Sequence, residues 1–245
     1  MRPIQMLAWV FVLMLPAAAL AQAGRGGAAT PKASATIDLT GYWVSVVTED
    51  WLYRMVTPAK GDYSSVPLNA EGRKMADAWD PAKDEAAGNQ CKAYGAPALM
   101  RIPGRLHITW QDDNTLEVET DAGTQTRLLH FGATASGAGG DWQGVSAAAW
   151  EVAAGARAPI PGAGLKITTT RIKPGYLRKN GVPYSANVVL TEYWDRVNEP
   201  NGDTWLIVKT IVEDPAYLNV PFITSTHFKK QADAAGWNPT PCTAR

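Results

Sequence analysis

The sequence predicts a mainly β protein whose strands form an antiparallel barrel of roughly eight to ten strands, with one short helix. Short segments that alternate apolar and polar residues recur along the chain, and turn signals such as Asp112-Asp113-Asn114 separate them. A single segment has the pattern of a helix. Closing so many strands into a ring removes exposed sheet edges, so a closed or nearly closed barrel is favoured over an α/β sheet.

The start of the chain has the pattern of a secretory signal peptide over residues 1–21. Arg2 precedes an apolar run that begins at Met6, and small residues follow. This order predicts cleavage after Ala21 or after Ala23, with an uncleaved signal-anchor as the alternative. The run is shorter than the roughly 20 residues that span a bilayer as a helix. We therefore expect a periplasmic or secreted protein with no transmembrane segment in the mature chain.

The remainder divides into a leader and one domain. Residues 22–36 are rich in Ala, Gly, Ser and Thr, which predicts a flexible leader. Residues 37–245 are predicted to form a single β-barrel domain. The 23 basic and 23 acidic residues balance, which argues against nucleic acid or an anionic membrane as the main partner. A small-molecule ligand is the favoured partner, and the sequence leaves the oligomeric state open.

The first elements of the domain are a strand and the helix. Residues 42–47 are predicted to form a strand, and residues 51–56 to continue it after a bend. The helix is predicted from Asn69 to Trp79, because Asn69 can cap its first turn and Pro81 ends it.

The remaining elements are predicted strands. Residues 105–110, 116–120 and 124–131 form an antiparallel meander in this prediction, since each alternates apolar with polar side chains. A Gly- and Ala-rich passage follows, with a strand over residues 142–152 inside it. Four further strands complete the predicted barrel, over residues 165–172, 188–197, 205–212 and 222–229.

Two cysteines remain after signal cleavage, Cys91 and Cys242. In an oxidising compartment such a pair forms a structural disulfide, which here closes a long loop and contributes roughly 4–5 kcal/mol by chain entropy. The alternative is a redox or metal-binding thiol pair, but no C-x-x-C motif or nearby histidine cluster supports it. His107, His130 and His227 lie far apart without ligand spacing, so no metal site is predicted.

The residues Gly41-Tyr42-Trp43 form a G-x-W where the first strand begins. Lipocalins and other calycin-like barrels often start in this way, and the resemblance implies a barrel that Trp43 closes at one end. The runs 91–101, 190–196 and 213–222 are similar to a family of exported bacterial proteins that themselves resemble calycin-like barrels. This second resemblance implies fold and location, and carries no activity or ligand.

Catalytic signatures are mostly absent: there is no G-x-S-x-G elbow, no Walker-type loop and no G-x-G-x-x-G, so no cofactor is predicted.

Two segments, 46–54 and 189–196, each place a carboxylate beside a tryptophan with an arginine a few residues on. In the second, Glu192 and Arg196 share a strand face with apolar residues. If these charges are buried they must be paired, so they form a site inside the barrel or a structural ion pair across strands; alternatively, the row faces outward.

A second charge pair is predicted across a hairpin, between Arg127 and Glu119 on adjacent strands. Such a pair would be structural.

The leading hypothesis is a carrier that binds an apolar or aromatic small molecule in the barrel. The chain has 10 tryptophans; most of them are expected to fill the core, and the remainder suit an aromatic-lined cavity. The candidate ligand-binding residues are Trp43, Trp194, Trp110, Arg127 and His107.

Two other classes remain open. One is a cofactor-independent isomerase, hydratase or lyase in the same cavity, with Glu192 or His227 as acid or base and with Arg196 or Tyr193 stabilising charge. The other is an accessory or interaction protein of the cell envelope.

Overall fold

The computed structural model of the chain describes residues 29–132 and 139–245. The predicted signal peptide and the first part of the predicted leader lie outside these residues. Within them, nine strands form a closed barrel, which confirms the predicted barrel of roughly eight to ten strands. None of the helices in these two ranges has the length and apolar character needed to cross a membrane.

Eleven strands occur in the described chain. In most of the barrel, strands that follow one another in sequence pair with each other and run antiparallel. The eleven strands are β1 (Gly41–Val46), β2 (Arg105–Trp110), β3 (Thr115–Thr120), β4 (Gln125–Phe131), β5 (Val145–Trp150), β6 (Leu165–Thr170), β7 (Gly175–Tyr176), β8 (Pro183–Tyr184), β9 (Val189–Asn198), β10 (Thr204–Glu213) and β11 (Phe222–Lys230). Around the ring the order is β1, β11, β10, β9, β6, β5, β4, β3, β2, while β7 and β8 form a separate two-stranded sheet.

The barrel contains one parallel pair, β4 and β5. Nine strands cannot alternate in direction all the way round a closed ring, so at least one neighbouring pair must run the same way. The connection over residues 132–144 has the dozen or so residues that a parallel crossover needs. The antiparallel expectation holds at every other pair and fails at this one. Only three residue pairs join β4 to β5, from Leu129–Ser146 to Phe131–Ala148, which is the shortest ladder of the barrel.

Short helices fill the connection between β1 and β2. The described elements are α1 (Trp51–Met55), α2 (Ala70–Asp77), α3 (Pro81–Ala86), a 3-10 helix (Gln90–Tyr94) and α4 (Ala96–Leu99). The predicted helix is confirmed as α2, and the others were not anticipated because each has only one or two turns.

The predicted strand over residues 51–56 is wrong, since most of this segment is α1. Asp50 adopts a left-handed conformation with φ 47°, which turns the chain away from the direction of β1. Trp51, Leu52 and Met55 then lie on α1, where residues four apart in sequence are neighbours on the helical surface, and Val56 follows directly in an extended conformation.

These helices, with β7 and β8, cover the end of the barrel where β1 ends and β2 begins, and we call this assembly the cap. Its apolar core includes Tyr63, Leu68, Leu177 and Phe222. The predicted disulfide is confirmed: Cys91 in the cap is bonded to Cys242 in the C-terminal segment, across 151 residues.

The opposite end of the barrel is contacted by residues 29–36, the described part of the predicted leader. The indole N–H of Trp150 donates to the Pro31 carbonyl at 2.9 Å. The Thr36 hydroxyl donates to the Ala163 carbonyl at 2.6 Å. This part of the leader is therefore bound to the barrel.

Helix α2 offers a test of the cap's stability. The Asn69 carboxamide oxygen accepts from the Gly72 amide at 2.8 Å, and its amide group donates to the Ala216 carbonyl at 3.0 Å. We expect Asn69→Ala to lower the free energy of unfolding by about 1 kcal/mol. Asn69→Asp keeps the capping acceptor and should retain more stability than Asn69→Ala. Equal stability of Asn69→Ala and wild type in urea unfolding would contradict this role.

Candidate functional site

An ion pair lies inside the barrel, between Arg127 on β4 and Glu192 on β9. Their side chains are 1 % and 0 % exposed, and Arg127 Nη2 donates to Glu192 Oε2 at 2.5 Å. The same nitrogen donates to Thr169 Oγ1 at 2.8 Å, and Arg127 Nε donates to Ser146 Oγ at 3.3 Å. These four side chains form the interior polar cluster, which connects β4, β5, β6 and β9.

Strand periodicity explains why Glu192 faces inward. Leu190 and Trp194, two residues to either side, are fully buried. The predicted partner of Glu192 was Arg196, but its observed partner is Arg127, which approaches from across the barrel.

The predicted pair of Arg127 with Glu119 is also wrong. Val118 is the residue opposite Arg127 in the ladder, so Glu119 projects to the other face of the sheet. There Glu119 Oε2 lies 2.8 Å from His107 Nδ1.

The interior polar cluster keeps polar atoms without hydrogen-bond partners among the described residues. These atoms are Arg127 Nη1 and Glu192 Oε1. Thr210 Oγ1, opposite Glu192 on β10, is also buried without a hydrogen-bond partner among the described residues. Buried polar atoms of this kind are costly, so the cluster is a place where single substitutions should have large effects.

The tryptophans nominated for a ligand cavity are part of the hydrophobic core. Trp43 and Trp194 are fully buried, and the Trp43 indole donates to the Leu39 carbonyl at 2.9 Å. Trp110 is half-buried and packs against Phe131 with ring centroids 5.4 Å apart.

Three other nominated residues lie on the outer surface of the barrel. His107 stacks on Tyr42, with ring centroids 4.2 Å apart. His227 Nδ1 is 3.3 Å from a Glu49 oxygen, and the Tyr193 ring is contacted by the Lys209 ammonium at 4.2 Å. The structure therefore does not bring His107, Tyr193 or His227 together with Glu192.

Arg196 is half-buried and lies beyond Trp194, towards the end of the barrel opposite the cap. Its charge helps to lower the pKa of Lys230, although burial of the Lys230 ammonium is the larger cause. Arg196 is thus separated from both Glu192 and the cap.

A cavity of about 440 Å³ lies between the cap and the barrel, and we call it the cap pocket. Its walls come from α1, the 3-10 helix, α4, the β7–β8 connection and the C-terminal segment. Tyr53, Tyr94, Ile102 and Leu177 supply aromatic and apolar surface. The cap pocket was not anticipated from the sequence.

Among the described residues, four cationic side chains and no carboxylate side chain line the cap pocket. The cations are Arg54, Arg101, Arg178 and Lys179. Gathering like charges in a partly enclosed cavity is unfavourable unless anions balance them.

Two of these cations form ion pairs with carboxylates in the turn between β1 and α1, which do not line the pocket. Arg54 forms an ion pair with Glu49, and Arg101 Nη2 donates to Asp50 Oδ2 at 3.0 Å. Arg54 Nε also donates to the Arg101 carbonyl at 2.9 Å, so the two arginines are held together. Burial lowers the pKa of Arg54, and the charge of Arg101 lowers it further, although Glu49 opposes this.

Arg178 has no salt-bridge partner among the described residues. Its guanidinium donates to the Ser64 carbonyl and the Ser65 hydroxyl, each at 2.7 Å, and lies over the Tyr53 ring. Burial lowers its pKa, and repulsion by Arg101 adds to the effect, although the charges of Asp50 and Asp62 oppose it. Arg178 Nε and Arg101 Nη1 are buried without hydrogen-bond partners in the described chain.

Lys179 contacts Tyr94 on another wall of the pocket. Its ammonium donates to the Tyr94 hydroxyl at 2.6 Å and to the Thr243 hydroxyl at 3.1 Å. Burial alone would raise the pKa of Tyr94, but hydrogen bonds from Lys179 and Thr243 outweigh it, and the net pKa is lowered. This wall therefore favours negative charge.

The fold and this site define a capped β-barrel with a cationic pocket. Comparison of the chain with protein-family models, with curated proteins and with solved structures found no match. The resemblance to calycin-like barrels stays a prediction.

Proposed function

We propose that the protein is an exported binding protein for anionic small molecules, and that the cap pocket is its binding site. One observation carries the proposal, namely the cavity of about 440 Å³ that four cations line without a carboxylate. Export is supported by the signal-peptide pattern of residues 1–21 and by the disulfide, which is typical of oxidising compartments.

The charge of the ligand follows from the pairing of the cations. Glu49 and Asp50 form ion pairs with Arg54 and Arg101, whereas Arg178 and Lys179 form no salt bridge among the described residues, so we assign these two cations to the ligand. A phosphate monoester or a dicarboxylate would match two positive charges. Guanidinium groups hold such oxygens by paired charge-assisted hydrogen bonds, which are stronger than neutral ones.

The rest of the ligand is expected to be aromatic or apolar, as the sequence predicted. Tyr53, Met55 and Ile102 line the pocket alongside the cations. The proposed location differs from the sequence-based hypothesis, since the nominated Trp43 and Trp194 belong to the barrel core and are absent from the pocket wall.

Phenyl phosphate is a suitable probe because it joins a dianion to an aromatic ring. We expect isothermal titration calorimetry to show binding to wild type, and Arg178→Met to weaken it about tenfold or more, since charge-assisted hydrogen bonds are lost. Phenol, which lacks the anion, should bind far more weakly.

Arg157→Met is the matched control, because Arg157 is exposed in the β5–β6 connection and does not line the pocket. It removes the same charge and should leave phenyl phosphate binding at the wild-type level. Equal affinity of wild type and Arg178→Met, or equal affinity for phenol and phenyl phosphate, would refute the proposal.

A further inference from the structure

Helix α1 and Val56, which follows it, expose apolar surface beside the cap pocket. Trp51, Leu52, Met55 and Val56 are 61 %, 53 %, 60 % and 62 % exposed. Single exposed apolar side chains are ordinary, but a contiguous group indicates a binding surface. We call these four side chains the α1 apolar face.

The α1 apolar face is continuous with the pocket. Met55 belongs to the face and also lines the pocket. Tyr53 and Arg54 of the same helix line the pocket as well. The buried Arg54 side chain contributes charge inside, while the opposite side of the helix presents hydrocarbon outside. A ligand that leaves the pocket past Met55 would therefore meet apolar surface.

We propose that the ligand is a single-chain amphiphile, with its anionic head in the cap pocket and its apolar chain along the α1 apolar face. This inference rests on the proposed function. The head is a phosphate or carboxylate, as Arg178 and Lys179 require, and the chain is long enough to pass Met55 and reach Leu52.

A protein partner fits the same surface less well. A stable protein interface buries roughly 1,200 Å² or more, whereas three side chains on a helix of five residues and the Val56 side chain after it offer a small fraction of that area. The cationic cavity beside the face also has walls on several sides, which suits a compact head group.

The test compares two alkyl phosphates by titration calorimetry, both below their micelle-forming concentrations. Butyl phosphate probes the head site, and dodecyl phosphate adds a chain that can reach the α1 apolar face. Each methylene removed from water favours binding about fourfold, so partial burial of the longer chain predicts at least about tenfold tighter binding to wild type.

The variant Trp51→Ser/Leu52→Ser removes two exposed side chains of the face that do not line the pocket. We expect it to lose most of the gain from the longer chain. The matched control Val152→Ser/Ile160→Ser removes exposed apolar side chains from the β5–β6 connection, which is distant from the pocket in the fold, and should keep the gain.

Each outcome separates the inference from the proposed function. If butyl phosphate binds and dodecyl phosphate binds no tighter, the amphiphile is refuted and the anion site stands. If neither binds, the anion site itself is refuted. Loss of the gain in the control variant would show that the chain binds elsewhere. Binding to vesicles of phosphatidylcholine with phosphatidic acid that survives Arg178→Met would refute the inference in favour of adsorption to a membrane surface.

Discussion

Replacing Arg127 by methionine is expected to lower the free energy of unfolding by about 3–5 kcal/mol. The substitution leaves Glu192, whose side chain is 0 % exposed, without its cationic partner inside the barrel. It also removes the donors to Ser146 and Thr169. Equilibrium unfolding in guanidinium chloride measures the loss, with far-UV circular dichroism confirming that the variant folds.

The double variant Arg127→Met/Glu192→Leu is the control for this prediction. It removes both charges, so no unpaired charge remains buried, and apolar pairs often replace buried ion pairs with little loss of stability. We expect it to be more stable than Arg127→Met. The single variant Glu192→Leu completes the comparison. If the stability losses of Arg127→Met and Glu192→Leu add up to the loss of the double variant, the pair is not coupled and the prediction fails.

Loss of the Cys91–Cys242 disulfide is expected to lower the free energy of unfolding by a similar amount. The bond spans 151 residues, and chain entropy assigns about 4–5 kcal/mol to a loop of that order. Cys91→Ser/Cys242→Ser should therefore unfold at a much lower denaturant concentration than oxidised wild type. Wild type in dithiothreitol should coincide with the variant.

The same variant should weaken ligand binding. Thr240, Pro241 and Thr243 line the cap pocket and flank the bonded Cys242. Releasing this segment loosens one wall, so affinity for phenyl phosphate should fall along with stability. If the free energies of unfolding of oxidised wild type and the variant differ by less than about 1 kcal/mol, the entropic account of the disulfide is contradicted.

The barrel could be predicted from the sequence because its determinants are local. Alternation along β2 and β3, and the turn at Asp112-Asp113-Asn114, depend on residues close in the chain. The parallel pairing of β4 with β5 could not be predicted in this way, since the need for a parallel pair follows from the odd number of strands in the closed barrel. Helix α1 was mistaken for a strand because a segment of five or six apolar residues fits both periods.

The interior of the barrel was predicted in part and the cap pocket not at all. The strand pattern places Glu192 on a face shared with apolar residues and leaves open whether that face points inward. Its partner Arg127 is 65 residues away, and no local pattern joins the two. The pocket cations come from three separate segments. Arg178 and Lys179 did leave a signal, because they precede Asn180-Gly181, a turn dipeptide whose glycine has φ 85°.

The interior polar cluster also bears on how the barrel moves. The seam between β4 and β5 has the fewest backbone ladder pairs, and the bond from Arg127 to Ser146 crosses it. Thr169 and Glu192 extend that connection to β6 and β9. Side chains thus supply cross-links where the backbone supplies few. We therefore expect the buried ion pair to raise the free energy of local opening at this seam and to slow the exchange of backbone amides there with solvent.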